Sequence, residues 1–142
     1  MKVDWSKDDN PVYPKGTYRV QLVSFERVKA STGTPQIRWR VDIVEPAKFQ
    51  GRSMIDHTAL TDAAAWKLIK LIKGFGMAEL PTMDTETPAF DQLCNQCKGR
   101  TALWTLEDEV DNKGRPRNNV VAYNIDQAQE EVTFGVDLEV PD

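Results

Sequence analysis

Residues 36–44 read Gln-Ile-Arg-Trp-Arg-Val-Asp-Ile-Val, and Ile37, Trp39, Val41 and Ile43 alternate with Gln36, Arg38, Arg40 and Asp42. A helix would scatter these two sets around its axis, whereas a strand puts them on opposite faces. The period of two therefore predicts a strand with one buried side. A connection from Glu45 to Gly51 leads to a second strand-like run, Arg52 to Thr58. The pair is expected to form a hairpin whose outer face carries Arg38, Arg40 and Arg52. Arginines there are either solubilising charge or a track for a phosphate backbone.

The remaining chain supplies the partners of this hairpin. Thr17–Lys29 is a first strand, with Tyr18, Val20 and Leu22 alternating inward. Val23 follows Leu22 directly, and Val23, Phe25 and Arg27 then share the other face. Such a phase slip predicts a bulge or bend. Ala30 to Pro35 has turn composition. Thr61 is an expected N-cap for a helix in which Ala65, Leu68, Ile69, Ile72 and Phe75 form the buried stripe, with Trp66 also assigned to the core. Thr87-Pro88 opens a short helix to Cys97. Strands over Arg100–Glu107 and Asn119–Ile125 flank a basic loop holding Lys113, Arg115 and Arg117.

Three strands, a helix and then a hairpin predict a mainly β protein, a five-stranded OB-fold-like barrel with a capping helix between strands three and four. The domain is expected over residues 16–125, preceded by an arm over 1–15 and followed by an acidic tail over 126–142. Charge supports that division. The net charge is −4, but residues 126–142 hold six acids and no Lys or Arg, and residues 1–10 carry −1. The body over residues 11–125 is thus +3, mildly basic beside an acidic tail. At 142 residues the chain can bury one core. No apolar run reaches membrane-spanning length, and the charged N-terminus lacks the apolar stretch of a signal peptide. The expectation is a cytoplasmic protein with reduced thiols.

Catalytic and metal signals are weak. Cys94-Asn95-Gln96-Cys97 is a CxxC, but a structural zinc site needs four ligands and His57 is the single histidine. A redox pair would open a helix, whereas this one closes one. Plain core or surface cysteines are expected, with no metal and no cofactor. No nucleophile–base arrangement or phosphate-cradling glycine loop is visible, so no catalytic residue is assigned and no enzyme is expected.

The cations are better organised. Arg27 and Lys29 flank the first turn, Arg38, Arg40 and Arg52 line the central hairpin, and Lys113, Arg115 and Arg117 crowd the last loop. In an OB-fold, strands two and three with the 1–2 and 4–5 loops bind oligonucleotides. Base stacking needs aromatic platforms, for which Phe25 and Phe49 are the candidates. Trp39 is in phase with the core, and Trp104 fits either role.

Gly16-Thr17-Tyr18-Arg19-Val20, the Thr32-Gly33 turn, Ile37-Arg38-Trp39-Arg40-Val41, Phe49-Gln50-Gly51-Arg52, Ala65-Trp66-Lys67-Leu68, and Leu93 with Lys98-Gly99-Arg100 together resemble phage- and prophage-encoded proteins of the single-strand-DNA-binding type. The resemblance implies an OB-fold, single-stranded DNA as ligand, and a role in phage DNA replication or recombination. It also makes the acidic end resemble a tail that recruits replication or recombination proteins. The chain ends in Asp137-Leu138-Glu139-Val140-Pro141-Asp142 rather than the Pro-Phe tip of bacterial tails, so docking into the pocket that receives that tip is not expected. An OB-like interaction module that recruits such partners without touching DNA is the alternative. A strand edge left unpaired would offer a route to a homodimer.

Overall fold

The computed structural model describes residues 12–134. Its strands are β1 (Gly16–Lys29), β2 (Pro35–Glu45), β3 (Ser53–Ala59), β4 (Met77–Ala78), β5 (Thr101–Val110), β6 (Pro116–Ile125) and β7 (Val132–Thr133), and its helices are α1 (Ala65–Gly74) and α2 (Pro88–Cys97). Five strands make one antiparallel sheet in the order β3-β2-β1-β5-β6. The expected alternation of β2 holds, with Ile37, Trp39, Val41 and Ile43 buried.

The long β1 serves two neighbours. Gly16–Gln21 pairs with β5, and Arg19–Lys29 pairs with β2. Its register against β2 shifts between Leu22 and Ser24, so Val23 is the extra residue that the phase slip predicted. Before the bulge Leu22 opposes Val41, and after it Phe25 opposes Trp39.

The expected barrel does not close. β3 and β6 are the two edges of the sheet, and no strand ladder joins them. Side chains bridge the gap instead, as described below.

α1 covers the inner face, but its buried stripe differs from the one periodicity predicted. Leu71, Ile72 and Phe75 are buried, while Trp66 is 59% and Ile69 49% exposed. Trp66, Leu68, Ile69, Leu71 and Ile72 are all apolar, so two stripes fit the helical period, and packing on the sheet selects one. Gly74 sets that packing, since a Cβ there would come 3.3 Å from the Tyr123 Cβ. Thr61 caps the turn leading into α1, accepting from the Ala64 N–H at 3.3 Å, a contact worth about 1 kcal/mol. α2 buries Phe90, Leu93, Cys94 and Cys97.

The tail expected to begin at Asp126 is part of the fold through Phe134. Asp126 is buried and accepts from the Thr101 hydroxyl at 2.7 Å and the Ala128 N–H at 3.0 Å, with Arg19 Nε 2.9 Å away. β7 pairs in parallel with β4, and Phe134 is buried beyond it. Arg100 locks the turn by donating to the Phe75 carbonyl at 2.6 Å and to that of Glu130. Six acids without a Lys or Arg marked this segment as a tail, yet Asp126 and Gln129 are held by the body of the protein, Asp126 by Thr101 and Arg19 and Gln129 by Thr101 and the Phe75 carbonyl. Residues 135–142 lie outside the described residues, as does most of the N-terminal arm. Among the described residues, no helix is long and apolar enough to cross a membrane.

Candidate nucleic-acid interface

The outer face of β2 presents Arg38 and Arg40, as its alternation requires. Arg38 stands opposite Glu26 on β1 and His57 on β3, and pairs with the Glu26 carboxylate at 3.0 Å. Arg40 donates to the Ser53 hydroxyl oxygen from Nε at 3.3 Å and Nη2 at 3.1 Å, and Ser53 in turn donates to Asp42 at 3.0 Å. No carboxylate pairs with Arg40 among the described residues. The His57 residue is exposed, yet partial desolvation of its ring lowers its pKa, opposed by Asp56 and aided by Arg38 and Lys67. His57 is therefore neutral at physiological pH and adds no cation.

The β2–β3 connection places Phe49. Ala47–Phe49 form a 3-10 turn, and Gly51 at φ 86° donates to the Ile43 carbonyl at 2.9 Å, a left-handed geometry that favours glycine. Phe49 packs against Tyr13 with centroids 5.4 Å apart and Tyr18 at 6.1 Å, while Lys48 Nζ and the Arg52 guanidinium lie 5.1 and 5.9 Å from its centroid. Neither cation has a carboxylate partner among the described residues.

Tyr13 joins this connection to the far edge of the sheet. Its hydroxyl donates to the Ser53 carbonyl on β3 at 2.7 Å, its N–H donates to the Asn118 side-chain oxygen on β6 at 2.7 Å, and the Asn118 amide donates back to its carbonyl at 2.7 Å. Burial pushes the Tyr13 phenol up, partly offset by the charge of Arg52. Further along the seam the Tyr123 hydroxyl on β6 donates to Asp56 on β3. Ser53 thus lies level with Asn118 and Asp56 level with Tyr123, so the two edges run in the same direction.

The structure accordingly brings Arg40, Phe49, Arg52 and Arg117 around Tyr13. Arg117, though exposed, forms an ion pair with Glu109. At the hairpin tip Arg115 pairs with Asp111 at 2.8 Å. The backbone N–H of Arg115, aided by that of Lys113 and by the Arg115 guanidinium, holds the Asp111 carboxyl below its ordinary value. The Lys113 side chain has no ion-pair partner among the described residues.

Phe25, Arg27 and Lys29 lie elsewhere. The bulge turns Phe25 to the Trp39 side, with ring centroids 6.2 Å apart and Lys98 Nζ 5.3 Å from the Phe25 centroid. Arg27 pairs with Asp91 at 3.0 Å and Glu86 at 3.6 Å, donates to the Thr85 carbonyl, and sits 5.5 Å over Phe90. Lys29 ends β1 opposite Pro35, at the other end of the strand from the β5–β6 hairpin tip. Phe25 and Arg27 share a face as expected, but it is not the face of Arg38 and Arg40.

The family described as "Protein of unknown function (DUF669)" matches residues 2–133. The chain belongs to the DUF669 family. No curated protein matches it. The matched span carries this DUF669 domain past Ile125 through β7, in agreement with the buried Asp126 and the β4–β7 pairing.

Other residues of the DUF669 domain stand apart from the expected site. Trp104 is fully buried, edge-on to Tyr123 at 5.4 Å, so it is core and not a stacking platform. Cys94 and Cys97 are buried free thiols at i, i+3 on α2; burial raises both pKa values, that of Cys97 to about 12. The fold places Lys48 and Lys98 each over a ring; sequence reasoning noted Lys48 beside Phe49 but did not count it or Lys98 among the site residues. It also missed the bridging role of Tyr13, for which an aromatic between Val12 and Pro14 was the available signal.

Proposed function

We propose that this DUF669 protein binds single-stranded DNA without sequence preference, on an OB-type barrel parted along the β3–β6 seam. The topology supports the fold reading. A three-stranded meander is followed by a helix and a hairpin whose first strand returns beside β1, and the two edges run alike across a side-chain seam, as a partly open Greek-key barrel would. The observation that carries the function is the pair Lys48 and Arg52 over the ring of Phe49, with Arg40 bonded to Ser53 on the same hairpin, all three without carboxylate partners among the described residues. Unpaired cations neutralise phosphates, and an aromatic ring gives any base a surface to stack on. The resemblance to phage single-strand-binding proteins supports a role in phage DNA replication or recombination in the host cytoplasm, with replication or recombination proteins as further partners.

The test is a titration of intrinsic tryptophan fluorescence, backed by anisotropy of labelled oligonucleotides, with oligo-dT, duplex DNA and oligo-rU at two salt concentrations. Tight oligo-dT binding that weakens as salt rises, with weak duplex binding, is expected. No binding to any nucleic acid at low salt would sink the proposal.

One observation favours a second reading, a protein-recruiting module. Exposed Trp66 and Ile69 adjoin a broad apolar groove lined by Leu60, Leu68, Leu80, Met83 and Phe90. If Trp66→Ala abolishes capture of a replication protein and leaves oligo-dT binding intact, this surface has its own role.

A further inference from the structure

A cavity of about 240 Å³ lies in the β3–β6 seam beside the Tyr13 bridge, with Met54, Ile55, Leu106 and Val120 as its apolar lining and Asp56, Lys67 and Asn119 among its polar groups. We infer that this cavity receives one nucleobase of the bound strand; the inference rests on the single-strand reading above and names a subsite within it.

Size is the first argument. Pockets for drug-sized ligands run from roughly 300 Å³ upward, so this one suits a single base. Charge is the second. Lys67 is matched by Asp56 at 3.2 Å, and Arg117 by Glu109, so the cavity has no surplus cation for a phosphate. Phosphates are left to Arg40, linked to the cavity wall at Asn118 through Ser53 and Tyr13, and to Lys48 and Arg52, over the Phe49 ring that packs on Tyr13.

Spare hydrogen-bonding capacity is the third argument. Asp56 is taken up by Tyr123 and Lys67, and Asn118 by Tyr13. The Asn119 amide is uncommitted among the described residues and offers both a donor and an acceptor. Lys67 uses two N–H groups, on Asp56 and on the His57 carbonyl at 2.7 Å, which leaves one of its three donors. A neutral ring with mixed donors and acceptors along its edge and apolar faces meets this set, and the spare Lys67 donor favours a base with a carbonyl oxygen. Deoxyadenosine, which has none, is expected to bind weakest.

The experiment titrates the full chain with the four uncharged deoxynucleosides, following the side-chain amide resonances of Asn119 by NMR, and measures oligo-dT affinity in parallel. Three variants are compared with the unaltered chain: Val120→Trp to fill the cavity, Asn119→Ala to remove the amide from an exposed position, and Phe49→Ala to remove the outer platform. Saturable thymidine-induced shifts at Asn119 are expected in the unaltered chain and in Phe49→Ala, and no thymidine binding in Val120→Trp. Oligo-dT affinity should fall about tenfold in Val120→Trp and severalfold in Asn119→Ala, in line with the worth of one base contact. Unchanged oligo-dT affinity in Asn119→Ala, or thymidine shifts confined to the surroundings of Phe49, would overturn the inference while leaving single-strand binding in place. Thymidine capture in the cavity without any oligo-dT binding would instead support the base site and sink the single-strand reading.

Discussion

Phe49 and Phe25 are two half-buried rings, each beside cations on the margin of one sheet, and their surroundings diverge. At Phe49 the neighbouring cations, Lys48 and Arg52, have no carboxylate partner among the described residues. At Phe25 Lys98 lies over the ring without a carboxylate partner among the described residues, but the guanidinium two residues along β1, Arg27, faces Asp91 and Glu86 and also donates to the Thr85 carbonyl, so it ties α2 and the segment before it to β1. A guanidinium already matched by two carboxylates adds little attraction for phosphate, since the strand would first have to displace them. The difference shows that cation availability is set by tertiary partners, which the order of residues along the chain does not reveal.

Both rings hang on one scaffold, and the severest test of the comparison removes what closes it. Truncation after Ile125 takes away Asp126, β7 and Phe134, and should abolish cooperative thermal unfolding together with all binding; truncation after Phe134 should preserve both. Retained cooperativity in the shorter chain would return 126–134 to the status of a tail. Asp126 adds a pH signature. Burial disfavours its charged form, but hydrogen bonds from Thr101 and Ala128 and the charge of Arg19 prevail and hold its pKa below the ordinary value. Its stabilisation is therefore complete above the unfolded-state value, about 3.9, and is lost as pH falls through the lower folded-state value. Asp126→Asn should flatten the acid limb of the stability profile, measured by urea unfolding at successive pH values.

Next in size is the contrast itself. Combining Lys48→Ala, Arg52→Ala and Phe49→Ala should weaken oligo-dT binding by about 100-fold at low salt and reduce the salt slope by about 2, one unit for each lost phosphate contact. Equal losses from the Phe25 side would break the comparison. Arg40→Ala alone should cost about fivefold and about 1 in slope. Adding Arg38→Ala should change little more, because Arg38 faces Glu26. A large further drop would show that DNA displaces that carboxylate.

How much of this was legible varies with the range of the interaction concerned. The strand over 36–44, the bulge at Val23 and the Thr61 cap follow from periods and side chains within a few residues, and each is present. The α1 stripe was ambiguous because Trp66 and Ile69 are as apolar as Leu71, and only the contact with Tyr123 decides it. The seam was invisible because Tyr13, Ser53 and Asn118 are far apart in the chain and none belongs to a motif. Phe49 and Arg52 were readable as candidates from their setting in a connection. The pairing of Arg27, Arg115 and Arg117 with acids was not, since ion pairs across turns and between elements leave no spacing rule.

The smallest effect on binding is expected at Arg27, and it is the most diagnostic. Arg27→Ala should leave oligo-dT affinity within about twofold, because the side chain is already occupied by Asp91 and Glu86. It should instead lower stability by about 1 kcal/mol, from a partly exposed ion pair and the packing of its stem over Phe90. A double-mutant cycle with Asp91→Asn separates the two contributions. If Arg27 acts only as a tie, the two substitutions should couple in stability and not in affinity. If Asp91→Asn tightens oligo-dT binding and Arg27→Ala cancels that gain, the carboxylate is masking a phosphate contact. The Phe25 side would then be a second, latent part of the binding track, released whenever α2 moves away from β1.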